Sequence, residues 1–352
     1  MTGGTGNILL VVHGAGRGRE VPTGEAFVSR LRESDPAFAA RLRVHRTGSA
    51  QPLLAGIDLV LFWLGDPLQE KYPDCYAEAV AIANDARAMG IAILNPPEAL
   101  NNTSKTQQAA IWRKAGIPCA EARIVRSEEE LLRVYDFLRG DCIVRSDVEH
   151  AQRGVPIVHN ASEARDVAAG IAYPAAVIRM HDIRAEYRAA GEPSSSLYSR
   201  FHHKARAFVF GDKVLPSHLF FSRAPIVGLS NSLFARESSP RRRLARAFGF
   251  RRKLVAEMIR EDMRYFETDV LQARTLANAV RALGLDFAAV DYSIRPDGSV
   301  ILWEANPYFY LPAGDRSVLS SERDAVRRVN QSFDWMAAQL AARAGSRQHR
   351  VA

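Results

Sequence analysis

Cysteine is scarce: Cys75, Cys119 and Cys142 are the only three in 352 residues. Their spacings match no zinc motif, and an odd number suits a reducing compartment better than a disulfide framework. They read as small buried hydrophobes. Long apolar runs are missing too. The longest early one, residues 8–12, has five residues, whereas a spanning helix needs roughly 20 and a secretory signal needs an apolar core of its own. A cytoplasmic protein with no membrane partner is expected. No G-x-S-x-G, no Cys–His pairing in motif context and no RNA-recognition motif occurs, which removes the usual signatures of nucleophilic hydrolases and RNA binders.

What is present is globular. Hydrophobic residues make up 47% of the chain, and the 24% charged residues are spread through periodic segments without low-complexity blocks. Two or three packed layers or domains follow, and collagen, coiled coil and global disorder drop out. A net charge of +8 suits an anionic substrate, a nucleic-acid partner or simply solvated arginines. Residues 241–253 (RRRLARAFGFRRK) carry seven basic residues and no acid, either a solvated face or an anion or partner surface.

The N-terminal part alternates strands and helices. Residues 7–13 form a strand entering Gly14, Gly16 and Gly18, and a helical pattern follows over 25–32. Strands at 42–46, 57–64 and 91–95, with a helix over 76–89, predict a parallel sheet. The glycine turn gives G-x-G-x-G rather than G-x-G-x-x-G, and no acid ends a clean second strand. A loop lining a substrate crevice is therefore preferred to a dinucleotide site.

After Pro96 and Pro97, Ser104 or Thr103 caps a helix that Gly116 stops. Strands at 122–126, 141–145, 154–158 and 175–180 alternate with helices opened by Ser127 and Asn160. Residues 201–210 and 213–221 form an antiparallel hairpin, and 251–283, free of proline and glycine, hold one or two long helices. Residues 286–294 and 299–304 flank RPDG at 295–298, a second hairpin. An amphipathic helix over 321–342 closes the chain, with a loose tail beyond.

The second hairpin carries chemistry. Side chains two apart on a strand share a face, so Glu304 and Asn306 project together, and a turn at 296–298 brings Asp291 to the same end. Two carboxylates and an amide oxygen are hard ligands suited to Mg²⁺, whose octahedron phosphates and water complete. The bland alternative, two strand acids facing solvent, fits poorly with Ala289, Val290, Leu302 and Trp303 beside them. Trp303 itself reads as core. His202 and His203 lack a third ligand at zinc spacing.

GLDFAAVD ending at Asp291, DG at 297–298 and LWEANP over 302–307 resemble the C-terminal metal motif of the ATP-grasp superfamily, in its carboxylate-amine ligase branch, down to spacings of 13 and 2 residues. Further segments match in order. Asn95, Asn101, Lys105 and AGIP at 115–118 resemble the start of the grasp domain. DCIVR at 141–145 and GVPIV at 154–158 resemble the strands around the phosphate-covering loop. AVIRM at 176–180 resembles the inter-lobe hinge, and KARAFVFGDKV at 204–214 the strand pair after it.

This resemblance implies an α/β fold: an N-terminal parallel-sheet pre-grasp domain (1–97), then a two-lobed grasp domain with a small lobe (98–180) and a C-terminal lobe (181–345), and a tail at 346–352. It implies that Asp291, Glu304 and Asn306 hold one or two Mg²⁺, with Mn²⁺ as substitute, on the ATP phosphates. Lys105, Arg145, Gly154 and Met180 would bind the nucleotide, and Arg206 would face the reaction centre with Arg223 next in line. The implied activity is an ADP-forming ligase that activates a carboxylate as an acylphosphate for attack by an amine, its partners being small molecules or a peptide acceptor. A homodimer is compatible with it.

The chain departs from the family at three places. Arg145 stands where a lysine is usual, exchanging a point charge for a planar fork. The loop 146–153 has no glycine, and a polar insertion at 191–196 follows the hinge. Competing readings are a nucleotide-binding module without turnover and, on the basic cluster alone, an RNA-associated protein. Lys105 read blandly is an exposed first-turn lysine, and Arg145 a partner of Asp147 or Glu149. Substrate choice falls to the glycine turn, residues 63–76 and residues 223–243.

Overall fold

The computed structural model describes residues 6–14, 23–148, 155–184, 200–228, 232, 250–309 and 322–345. Three four-stranded sheets organise them. The first is parallel, in the order β2 (Leu42–Arg46), β1 (Ile8–Val12), β3 (Leu59–Trp63), β4 (Ala92–Leu94). Every residue of β1 and β3 is buried, as continuous apolar strands require when both faces are covered. α1 (Thr23–Ser34), α2 (Pro36–Ala39), α3 (Leu68–Lys71) and α4 (Pro73–Ala88) join these strands. Gly14, just past β1, lies so close to the chain at Thr47 that a Cβ there would sit 2.1 Å from the Thr47 carbonyl oxygen.

α5 (Lys105–Lys114) leads into the second sheet, which is antiparallel: β5 (Ala122–Val125), β6 (Cys142–Ser146), β7 (Ile157–Val158) and β8 (Ala175–Arg179) in the order β5-β8-β6-β7. α6 (Glu128–Leu138) and α7 (Ala161–Gly170) cover one face. Alternation sorts the side chains: Cys142, Val144, Ala175 and Val177 enter a core shared with Leu131 and Ala164, while Ile143, Arg145 and Ile178 point the other way. Ser104, Ser127 and Asn160 cap α5, α6 and α7, each accepting from the third backbone N–H of its helix.

The third sheet runs β10 (Lys213–Ser222), β9 (His202–Phe210), β11 (Phe287–Ile294), β12 (Val300–Asn306), all antiparallel. Both hairpins expected from the sequence are present, and Gly298 closes the second with φ +80°, the left-handed position that glycine tolerates. One face carries Phe208, Phe210, Phe287 and Ala289, which pack with Ile8, Leu10, Leu59 and Leu61 of the first sheet and with Phe333, Met336 and Leu340. The other face packs on α8 (Phe250–Glu267) and α9 (Ala273–Ala282), through Leu254, Met258, Leu276 and Val280. The region 251–283 is thus two helices. α10 (Glu322–Gly345), which supplies Phe333, Met336 and Leu340, closes the chain.

Asn95 ties the first sheet to the third. It is fully buried, with φ +50°. Its Oδ1 accepts the N–H groups of Asp286 and Phe287, its Nδ2 donates to the Phe287 carbonyl, and its own N–H donates to Asp286 Oδ2. A buried polar side chain whose bonding capacity is so fully used fixes orientation as well as contact. Cys75 and Cys142 are buried and Cys119 is half-buried; all three are free thiols. No helix of the described residues is long and apolar enough to cross a membrane.

Candidate active site

Strand register puts the acids together. Asp291 of β11 lies directly opposite Glu304 of β12, and Asn306 opposite Ala289. On its other side Asp291 faces Arg206 of β9. Arg206 donates to Asp291 through Nε (2.5 Å) and a terminal nitrogen (3.0 Å), and Lys204 Nζ donates at 2.8 Å. Burial raises the Asp291 carboxyl, but the charges of Arg206 and Lys204 outweigh it and bring it down to about 2. The side chain is 2% exposed, so this ion pair is little screened by solvent.

A register shift between Asp291 and Tyr292 leaves Trp303 as the extra residue of β12, a bulge that re-aims neighbouring side chains. Trp303 packs against the core, as its apolar flanks predict, but at its edge. It is half-buried, its indole N–H donates to Ser293 Oγ at 2.8 Å, and it lines the cleft described below. His203, by contrast, is a core histidine: its Nε2 accepts the Ile294 N–H at 3.0 Å, and burial takes it down to about 4.

Lys105 opens α5 and is buried, 3.7 Å from Glu304 Oε1 and 3.3 Å from the Asp147 carbonyl. The exposed-lysine reading is thereby excluded. Burial lowers its ammonium, Glu304 opposes this, Arg145 adds to it, and Asp147 and Asp66 oppose it. Asp147 uses both carboxylate oxygens on Thr106, one on its N–H and one on its hydroxyl, which fastens the end of β6 to the start of α5.

These groups meet in a cleft of about 680 Å³, part of it open to solvent, between the second and third sheets. One wall is charged: Lys105, Arg145, Lys204, Asp291 and Glu304. The rest is apolar, with Ile143, Val155, Ile178, Ile183, Val227 and Trp303. Of the residues singled out in the sequence, Lys105, Arg145, Asp291 and Glu304 line it. Asn306 lies two residues further along β12, and Arg206 sits on the far side of Asp291, so Lys204 is the β9 cation that lines the cleft. Met180 stands one residue past β8, its N–H bonded to the Asp141 carbonyl, and its neighbours Ile178 and Ile183 reach the cleft instead. Arg223 is exposed, just beyond β10. Gly154, the rest of the 149–154 loop, the insertion at 191–196 and residues 241–249 lie outside the described residues.

Side-chain alternation in the sequence already puts Lys204 on the face of Arg206, and the structure brings it to the cleft. The cleft-lining place of Trp303 and the charge of Asp66 acting on Lys105 carried no local signal.

The donor set suits a divalent ion. Asn306 is 7% exposed, and its Oδ1 is buried with no hydrogen-bond partner among the described residues, an uncommon condition for a buried amide unless a ligand takes the lone pair. No three His, Cys, Asp or Glu side chains cluster as a metal site among the described residues. Two carboxylates and one amide instead leave room for phosphate and water, the habit of Mg²⁺ rather than of an all-protein cage.

The sequence matches no family model and no curated protein, but the architecture is found in solved structures. The ATP-grasp ligase PsnB, complexed with a minimal precursor, superposes with a TM-score of 0.53 at 14% identity, covering 95% of this chain and 100% of its own. D-cycloserine synthetase DcsG gives 0.53 at 16% identity, over 96% and 100%. The D-alanine–D-alanine ligase from Bacillus anthracis, complexed with ATP, gives 0.50 at 16% identity, over 98% and 100%. The chain has the ATP-grasp fold.

Proposed function

We propose that this chain is an ATP- and Mg²⁺-dependent ligase that joins a carboxylate to an amine through an acylphosphate and releases ADP and phosphate. The observation that carries the reading is the pairing of Asp291 with Glu304 beside Lys105 in the charged wall of an otherwise apolar cleft, with the unpartnered Asn306 Oδ1 two residues further along the same strand. PsnB, which shares the fold, has been solved with Mg and ADP. In this reading residues 1–97 are the pre-grasp domain, 98–180 the small lobe and 181–345 the C-terminal lobe, with the nucleotide between the lobes.

A carboxylate oxygen attacks the γ-phosphorus, and the bond to the β-phosphate bridging oxygen breaks to release ADP. The amine nitrogen then attacks the acyl carbon, loses a proton, and inorganic phosphate leaves. Bound Mg²⁺ would be held by Asp291, Glu304 and Asn306 and would neutralise phosphate charge. Lys105 and Arg145 hold phosphate oxygens; Lys204 supplies fixed positive charge where charge develops, and Arg206, on the far side of Asp291, keeps that carboxylate ionised. The apolar wall takes the base and excludes water. Neither step needs a side-chain nucleophile.

Purified protein, ATP and Mg²⁺ incubated with pools of carboxylates and amines, peptides included, test the reading through phosphate release. Release that needs both acceptors supports ligation. ATP binding with no turnover in any pool reduces the protein to a nucleotide-binding module.

A further inference from the structure

Gln108 is fully enclosed, 1% exposed, one turn into α5 from Lys105. Its amide oxygen accepts the Ala305 N–H at 2.7 Å, and its amide nitrogen donates to the Ala305 carbonyl at 3.0 Å and to the Thr103 carbonyl at 2.5 Å. Ala305 is the residue between Glu304 and Asn306. β12 is the outer strand of its sheet, so its outward-facing backbone groups need partners from elsewhere. Leu302 finds them in the chain at 118–120: its N–H donates to the Pro118 carbonyl and its carbonyl accepts from Ala120. Ala305 finds both in one side chain.

A glutamine that bonds the N–H and the C=O of one residue takes the place of a neighbouring strand and fixes the peptide planes on either side of that residue. Those planes set the directions of the Glu304 and Asn306 side chains. The third bond, to Thr103, holds the same amide to the turn that caps α5, from which Lys105 projects. We propose that Gln108 is the positioning residue of this site: it holds the Glu304 carboxylate and the Asn306 amide oxygen in register with the Lys105 ammonium, so that metal ligands and phosphate cation act as one rigid unit. The inference rests on the nucleotide and metal reading given above and adds to it a residue that touches neither ligand. Groups that orient metal ligands alter metal affinity by about 10- to 100-fold when removed.

The test is Mn²⁺ binding to the full chain in the presence of ADP, followed by electron paramagnetic resonance, with ADP binding in the absence of metal measured in parallel. Gln108→Leu keeps the volume and removes all three bonds. Mn²⁺ affinity is expected to fall 10-fold or more, with metal-free ADP affinity within threefold of wild type. Trp112→Phe is the control: Trp112 lies on the same helix, is equally buried and donates to the Ala279 carbonyl at 2.9 Å, so its loss destabilises α5 without touching β12. That variant should lose thermal stability and keep its Mn²⁺ affinity. Wild-type Mn²⁺ affinity in Gln108→Leu overturns the proposal, as does a loss in both variants that simply follows their melting temperatures. Gln108→Asn, too short to bridge both groups of Ala305, is read in the same way should the leucine variant not fold. A wild-type protein that binds ADP but no Mn²⁺ refutes the metal reading itself, and this inference with it.

Discussion

Asp291 is a buried carboxylate held by two cations, so its loss has separable effects on folding and on chemistry. Its folded pKa of about 2 lies below the ordinary 3.8, so the unfolded chain binds the proton more tightly. The resulting stabilisation, about 2 kcal/mol, is complete above about pH 4 and is lost as pH falls through about 2. Asp291→Asn should be less stable than wild type at pH 7, and denaturant titrations should show that gap closing between about pH 4 and pH 2. Glu304→Gln is nearly isosteric and partly open to the cleft, so its melting temperature should stay close to wild type. Mg²⁺-dependent phosphate release should nevertheless disappear, and activity like that of wild type would sink the metal assignment. Lys105 and Arg206 should divide the kinetics. Lys105→Ala is expected to weaken ATP binding by about 1–3 kcal/mol, the scale of charge-assisted hydrogen bonds. Arg206→Ala should lower kcat by about 100-fold with ATP affinity nearly unchanged. Loss of ATP affinity alone in the Arg206 variant would show that its hold on Asp291 serves nucleotide binding rather than turnover.

At the scale of elements, the strands of the third sheet are pinned by side chains as well as by their ladder. His203 on β9 accepts from Ile294 on β11, and the Ser293 hydroxyl donates to the His203 carbonyl. With its folded pKa lowered by burial to about 4 from 6.5, His203 must stay neutral for that bond to persist. Here the unfolded chain again binds the proton more tightly. About 3 kcal/mol of stability is present above about pH 6.5 and is lost as pH falls towards 4. His203→Gln, which retains an acceptor but does not titrate, should flatten this part of the stability profile; an unchanged slope would assign it to the other buried histidines, His13 and His181, which burial also lowers to about 4, and His218, which burial holds well below the usual range.

The elements themselves were largely legible. Alternation, capping serines and the RPDG turn are local signals, and each gave its strand, helix start or hairpin close to the observed bounds. The bulge at Trp303 was not legible, because an extra residue in a strand changes no local pattern; it depends on the register of β11 beside it.

For the whole molecule, the joint between the first and third sheets rests on Asn95, which brings together segments nearly two hundred residues apart. Asn95→Ala removes three side-chain hydrogen bonds and leaves alanine at positive φ. A loss of about 3 kcal/mol in equilibrium unfolding is expected, and a loss under about 1 kcal/mol would show the joint to be carried by the shared aromatic core instead.

By itself the sequence determined the alternating N-terminal sheet, the two hairpins, and the spacing that singles out Asp291, Glu304 and Asn306 as candidate ligands, because periodicity and turn chemistry act over a few residues. Only the tertiary structure decided that Lys204 rather than Arg206 lines the cleft, that Trp303 reaches the cleft from the edge of the core, and that Gln108 supplies β12 with its missing neighbour. Those outcomes follow from which strand lies beside which and how far its edge stays open, and such pairings arise between segments that carry no mark of one another in the chain.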